Sequence, residues 1–248
     1  MRHLIFTLAF VALSISLSAQ TVEVKYFEPD GMEADGRTIH KKATYTLHTT
    51  PGRSLFLEHP SEGKVVDNFD EGEFSADFGT PVELWLYKDF KTRELSYKVA
   101  LMYGKRLKAE DKIVPIQWQL TKNQRSIGGI PCQEAIGTFR GRTYHAWFTY
   151  TIPISDGPWK LTGLPGLILE AYDEEKFVVF LFDGLRKTNR PIIKPREKLK
   201  TTDYRTAYDK VMDEYVKMVR FTEAKMKKEG FDVSVSFQQP YTRELYKN

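Results

Sequence analysis

Thr143-Tyr144-His145-Ala146-Trp147-Phe148-Thr149-Tyr150-Thr151-Ile152 is the stretch whose reading decides the fold. Tyr144, Ala146, Phe148 and Tyr150 alternate with Thr143, His145, Trp147 and Thr149. A period of two marks a β-strand, because successive side chains leave opposite faces of the sheet. Aromatics stand on both faces, so we expect both faces to be covered or used. Residues 130–139 read as the preceding strand, joined through Arg140-Gly141-Arg142. Residues 168–172 and 177–182 read as a further hairpin around Asp173-Glu174-Glu175-Lys176.

Working outward, the N-terminal half carries the same period. Val22, Val24 and Tyr26 share one face of a strand that Pro29-Asp30-Gly31 is expected to break. Ala43, Tyr45 and Leu47 alternate with Thr44, Thr46 and His48, and Pro51-Gly52 turns the chain into a return strand over 53–59. Residues 60–80 read as a loop or weak strand. Residues 82–90 and 93–103 are strand-like around a tight turn at Lys91-Thr92. Residues 112–121 read as another strand, with Ile116, Trp118 and Leu120 on one face. After residue 200 the period lengthens to three or four through Tyr204, Tyr208, Val211, Tyr215, Met218, Thr222 and Met226. That is an amphipathic helix, capped by Thr201 or Thr202 with Asp203 in its first turn and ended by Gly230. Its apolar stripe docks on the sheet or binds a partner. Residues 231–237 alternate again. The expected fold class is mainly β (a β-rich α+β chain): a curved antiparallel sheet of roughly nine to eleven strands, or an open half-barrel, with one long C-terminal amphipathic helix.

The first residues read as a targeting segment. Arg2 and His3 precede an apolar run from Leu4 to Leu17, and small residues lead to Ala19. We expect a signal peptide over residues 1–19 and a single β-rich domain over 20–248. The apolar run is shorter than the roughly 20 residues that span a bilayer, and no Cys follows it to carry a lipid. The expected location is therefore periplasmic or extracellular, neither membrane-spanning nor lipoprotein. The net charge of +4 is modest and dispersed, which argues against a nucleic-acid partner. Cys132 is the only cysteine, so no intramolecular disulfide forms. It reads as a small core residue sharing a face with Ile130 and Ile136, or as a reactive thiol.

The most distinctive run is Ile152-Pro153-Ile154-Ser155-Asp156-Gly157-Pro158-Trp159-Lys160, followed after Leu161-Thr162 by Gly163-Leu164-Pro165-Gly166-Leu167-Ile168. Gly163 to Ile168 resembles the signature of the GLPGLI family of exported Bacteroidota proteins. Cys132 with Ala135, then Phe139-Arg140-Gly141-Arg142, Tyr144 and Ala146-Trp147, extend the resemblance over about residues 110–185. Of the ending expected in that family, only Glu244-Leu245 is present. The resemblance implies export and gene neighbourhood with TonB-dependent outer-membrane receptors, but no established activity. Leu164-Pro165-Gly166-Leu167 fits a type II turn, with Pro165 second and Gly166 at positive φ, while Gly163 allows close backbone approach. Two readings stay open. Leu164, Leu167 and Leu169 plug one end of a barrel with Trp159 as lid, or Trp159 and Leu164 are anchors of a recognition loop.

Chemistry is sparse. His3, His40, His48, His59 and His145 form no metal-ligand spacing, and His40 and His48 lie about 26 Å apart in an extended strand. No Gly-x-Ser-x-Gly elbow is present, and Gly128-Gly129 lacks the helix and Lys of a phosphate loop. Cys132 and His145 meet only if their strands pair, and Cys132 points with the apolar set. Arg140 and Arg142 sit in a solvated turn or hold an anion or a partner's carboxylate. We expect no catalytic residue, metal or cofactor. The expected binding residues are Trp159, Leu164, Arg140, Arg142 and Trp147. The expected function is a non-enzymatic accessory or binding protein of the cell envelope, acting with an outer-membrane receptor or other envelope protein. A carrier of an apolar ligand or lipid in the half-barrel lumen, and an unrecognised hydrolase, are the alternatives.

Overall fold

The computed structural model describes residues 20–32, 39–61, 64–68, 73–77, 82–101, 104–228 and 230. The expected signal peptide (1–19) and the alternating run at 231–237 lie outside the described residues. The strands are β1 (Thr21–Met32), β2 (Ile39–Thr49), β3 (Arg53–Glu58), β4 (Lys64–Asn68), β5 (Glu73–Asp77), β6 (Leu84–Asp89) and β7 (Glu94–Ala100), followed by β8 (Arg106–Lys112), β9 (Gln119–Ile127), β10 (Ile130–Phe139), β11 (Arg142–Thr149), β12 (Leu167–Asp173), β13 (Val179–Thr188) and β14 (Thr201–Asp203). Helix α1 (Tyr204–Lys228) follows. Twelve strands form one open sheet in the order β14-β8-β7-β6-β3-β2-β1-β13-β12-β11-β10-β9, and β4 pairs with β5 separately. All pairings are antiparallel except β14 with β8.

The sheet bends where β13 changes partner. It pairs with β12 only at Phe180 and Val179, then runs from Leu181 to Thr188 along β1. A strand that serves two neighbours in succession makes a corner. The inner faces of both arms therefore meet in one core, joining Val24, Tyr26, Tyr45, Leu47 and Phe56 to Ala135, Tyr144, Ala146, Phe148 and Phe180. The alternation read at 143–149 holds: Tyr144, Ala146 and Phe148 are fully buried on the inner side.

Several local expectations change. β1 does not break at Pro29-Asp30-Gly31; it continues with two register irregularities there, which accommodate a proline that has no N–H to donate. Residues 60–80 contain a hairpin. Residues 112–121 are not one strand: Pro115 interrupts them, Ile116 is buried and Leu120 is 51% exposed. The stretch spans the end of β8 and the first residues of β9, and 113–118 between them are neither strand nor helix. Between Gln133 and Ala135 the pairing of β10 with β9 shifts, and the extra residues are on β9. Cys132 and Ala135 both belong to the buried core cluster, and Ile130 packs against it.

The signature segment, residues 150–166, forms neither strand nor helix, yet most of it is buried between the two arms. Leu161, Leu164, Leu167, Ile168 and Leu169 are at most 1% exposed. Each buried leucine contributes about 1.5–3 kcal/mol. A buried loop must also place its own N–H and C=O groups. Leu167 N donates to Ile152 O at 3.0 Å and Ile168 N to Asp156 O at 2.9 Å. Tyr26 donates to Ile168 O at 2.7 Å, and Trp118 Nε1 to Thr162 O at 2.8 Å. Lys88, buried on β6, donates to Gly157 O and Trp159 O, both at 2.8 Å, and pairs with the buried Asp156 carboxylate. Burial pushes the Lys88 pKa down, with Asp156 opposing the shift.

The two signature glycines exchange their expected roles. Gly163 takes the positive φ, +99°. Gly166 does not; a Cβ there would sit 2.0 Å from Thr149 O, so Gly166 is the position of close backbone approach. The type II turn is therefore absent, and Pro165-Gly166 lead straight into β12.

Residues 189–200 cross the outer face of the N-terminal arm. Ile192 packs with Leu57, Trp85 and Tyr87, and Glu197 accepts from Trp85 Nε1 at 2.7 Å and Lys98 Nζ at 2.9 Å. Helix α1 is capped by Asp203, not by Thr201 or Thr202: Asp203 Oδ1 accepts from Thr206 N at 3.0 Å. Its start docks through Ala207 onto Leu107 and Ala109 of β8. Beyond that, Val219 is the other buried residue and Phe221 is 71% exposed. Gly230 takes φ +93° just past the helix end, as a C-terminal glycine does. No described helix is long and apolar enough to cross a membrane.

Candidate binding groove

Strands β9 to β12 that carry the core on one side carry a charged and aromatic face on the other. The registers align Glu134 with Trp147 and Trp147 with Glu170, then Ile136 with His145 and His145 with Tyr172. Arg125 reaches this face from β9. Its guanidinium lies 4.1 Å above the Trp147 ring and donates to Glu170. Lys176, in the turn after β12 with φ 59°, places Nζ 2.8 Å from the centre of the Tyr172 ring. His145 stacks parallel to Tyr172 at 5.2 Å.

A groove of about 380 Å³ opens here, lined by Glu28, Pro29, Arg125, Glu170, Tyr172, Lys176, Val179 and Leu181. Tyr172, Val179, Leu181 and Pro29 are its less polar surfaces, and two carboxylates and two cations share its wall, Arg125 already paired with Glu170. Glu28 is held by Tyr45, whose hydroxyl donates at 2.9 Å, and by Lys42 at 3.6 Å. Burial pushes the Glu170 pKa up, and Arg125 opposes the shift. Burial lowers the Lys176 pKa; Asp173 opposes this, and Arg125 adds to the lowering.

Beside the groove, Glu134 is fully supported. Its carboxylate accepts from Asn123 Nδ2 at 2.7 Å and Thr121 Oγ1 at 3.0 Å, and meets His145 Nδ1 at 2.8 Å. Burial raises its pKa, but the His145, Asn123 and Thr121 hydrogen bonds outweigh that and hold it below the usual carboxylate value. A second carboxylate cluster lies elsewhere: Arg140 grips both oxygens of Asp111 at 2.9 and 2.8 Å, and Lys160 joins at 3.0 Å. Arg140 also covers the Tyr204 ring at 4.1 Å, latching the start of α1 to the sheet.

The expected binding residues therefore separate. Trp159, at 7% exposure, and Leu164, at 1%, are inside the core rather than on a recognition loop. Arg140 and Arg142 serve carboxylates of their own chain, Arg142 meeting Asp173 at 2.6 Å. Neither turn arginine is the solvated side chain of the simpler reading: their side chains are 9% and 4% exposed. Trp147 alone of the five lies on the groove side, under Arg125, and its Nε1 is buried without a hydrogen-bond partner. Arg125, Glu170, Tyr172 and Lys176 were not singled out. Glu170 had a signal: it is a carboxylate inside the apolar run 167–171.

Cys132 and His145 do not form a nucleophile and base. The thiol belongs to the core and burial pushes its pKa up to about 11, with Glu170 adding to the rise. His145 turns to Glu134. Among the described residues no group of three His, Cys, Asp or Glu side chains is placed to hold a metal ion.

Residues 139–170 match a family model described as a protein of unknown function (Porph_ging). No curated protein matches the chain. Among solved structures the chain is similar to PNGF-II in a C2 crystal form, at 19% identity and TM-score 0.50, and in a P21 form, at 20% and 0.51. Each comparison covers 78% of this chain but only 33% of the PNGF-II chain, so the chain spans about a third of that protein's length. The likeness is one of fold, and the family match falls on β11, the buried signature segment and the first half of β12.

Proposed function

We propose that this chain is an exported, non-enzymatic binding protein of the bacterial cell envelope, acting with an outer-membrane partner through the outer face of β9–β13. The observation that carries the reading is the groove itself. Arg125 on β9 and Lys176 in the turn after β12 stand at its wall, away from the buried polar groups that hold the fold together. The GLPGLI-like signature and the signal-peptide-like start support export. The lumen-carrier alternative is weaker, because Tyr26, Tyr45, Tyr144, Phe148, Phe180 and Leu164 occupy the space between the arms. Hydrolysis is also weaker: the hydroxyl that reaches Glu134, Thr121 Oγ1, donates to a carboxylate that Asn123 and His145 already hold below the usual value, which makes it a poor base.

In-cell photo-crosslinking from position 176 tests the proposal, with position 221 on the exposed helix as control. The expected result is one dominant envelope protein captured from 176 and not from 221. Capture from 221 alone would move the interface to the helix. Robust turnover by the purified protein, abolished by one polar substitution, would replace binding with catalysis.

A further inference from the structure

Resting on that reading of the groove, we propose that it receives the free carboxyl end of a partner polypeptide whose last side chain is apolar. Arg125 spends one donor on Glu170 and its face on Trp147; its other N–H groups meet no acceptor among the described residues. The Lys176 ammonium lies on the Tyr172 ring and donates to no described acceptor. These two cations border one cavity, where Arg125 disfavours the charged form of Lys176 while Asp173, more strongly, and Glu134 favour it. A carboxylate between them supplies an acceptor to each. Carboxylates held by Arg and Lys form the stronger, charge-assisted class of hydrogen bond.

The walls also say which anion fits. Glu28 and Glu170 line the same cavity, so a phosphate dianion would meet two negative neighbours where a monoanionic carboxylate meets the same cations at lower cost. Val179, Leu181 and Pro29 offer an apolar surface for one aliphatic side chain. At about 380 Å³ the groove is at the small end of ligand pockets, which run about 300–1,000 Å³, so it suits a chain terminus rather than a folded surface.

The test titrates the full chain with acetyl-Gly-Gly-Leu as free acid and as C-terminal amide, followed by NMR shifts of the groove residues. Saturable binding of the acid is expected, with the amide weaker by about tenfold or more. Arg125→Gln and Lys176→Asn should each weaken the acid about tenfold and leave the amide unchanged. Asn is chosen because it tolerates the positive φ of Lys176. Inorganic phosphate at equal concentration should not displace the peptide. Equal binding of acid and amide, displacement by phosphate, or unaltered affinity in both variants overturns the proposal. If the acid fails to bind while crosslinking from 176 still captures an envelope protein, the carboxylate idea falls and the binding face stands. If both fail, both fall.

Discussion

Lys88 and Lys176 are two ammonium groups on opposite sides of one folded sheet, and their surroundings differ in kind. Lys88 is fully buried and its three N–H groups have three acceptors: Gly157 O, Trp159 O and Asp156. Lys176 is exposed, lies on an aromatic ring and has no described acceptor. The Lys88 ammonium is satisfied inside the core, so it holds the fold, while the buried Asp156 carboxylate has its Lys88 ion pair and no hydrogen bond beyond it among the described residues. The Lys176 arrangement is incomplete, so it has capacity for a ligand. The same contrast separates Asp156, locked against β6, from Glu170, which shares a groove with solvent.

The largest effect should come from breaking the buried side. Lys88→Met leaves Asp156 and two carbonyls buried without their cation, and should cost roughly 3–5 kcal/mol in a denaturant melt. The double variant Lys88→Met with Asp156→Leu should recover part of that loss, because no uncompensated charge remains. Recovery of nothing would mean that the pair is not the reason Lys88 is buried. Leu164→Ala should cost about 2–5 kcal/mol through the cavity it leaves.

The glycines give a smaller, ordered pair. Gly166→Ala forces a Cβ onto Thr149 O and should cost about 1–3 kcal/mol or more. Gly163→Ala meets no clash, only the strain of φ +99°, and should cost about 1–2 kcal/mol. A larger loss at 163 than at 166 would reverse the roles assigned to them. On the groove side, Glu134→Gln should cost only about 1 kcal/mol at neutral pH. Glu134 is held below its reference pKa of 4.5 in the fold, so its contribution is present above that value and fades as pH falls through the lower folded one. The gap between wild type and variant should therefore close on acidification. A gap that persists at the lowest pH would show that the charge of Glu134 is not what matters.

The sheet was legible because period-two alternation is local: 22–26, 43–48 and 143–149 needed no tertiary information. β8 was not. Arg106–Lys112 carries mostly charged side chains, and only Leu107 and Ala109 are buried, beneath Ala207. Its strand character comes from β7, β14 and the helix. The stretch 112–121 has the right alternation but also Pro115, so only its ends belong to β8 and β9, and Ile116 enters the core from the irregular segment between them. The signature was legible as a buried-plug reading but not in its detail, because the clash that requires Gly166 lies with Thr149, on another strand. The groove was least legible. Arg125 and Glu170 are 45 positions apart, and only the register of β9 to β12 brings them together. Trp147 was found because its strand alternates.

Measuring stability and ligand capture together on Leu164→Ala and Lys176→Asn tests the division of labour most directly. The account predicts a crossed result. Leu164→Ala should lower the melting midpoint yet, at temperatures where it is folded, retain acid-peptide binding and crosslinking. Lys176→Asn should keep stability within about 1 kcal/mol, since it removes one exposed cation–π contact, and lose the peptide. A Leu164→Ala protein that melts normally and no longer captures its ligand would contradict the account, because the signature would then be the binding surface and the groove a bystander.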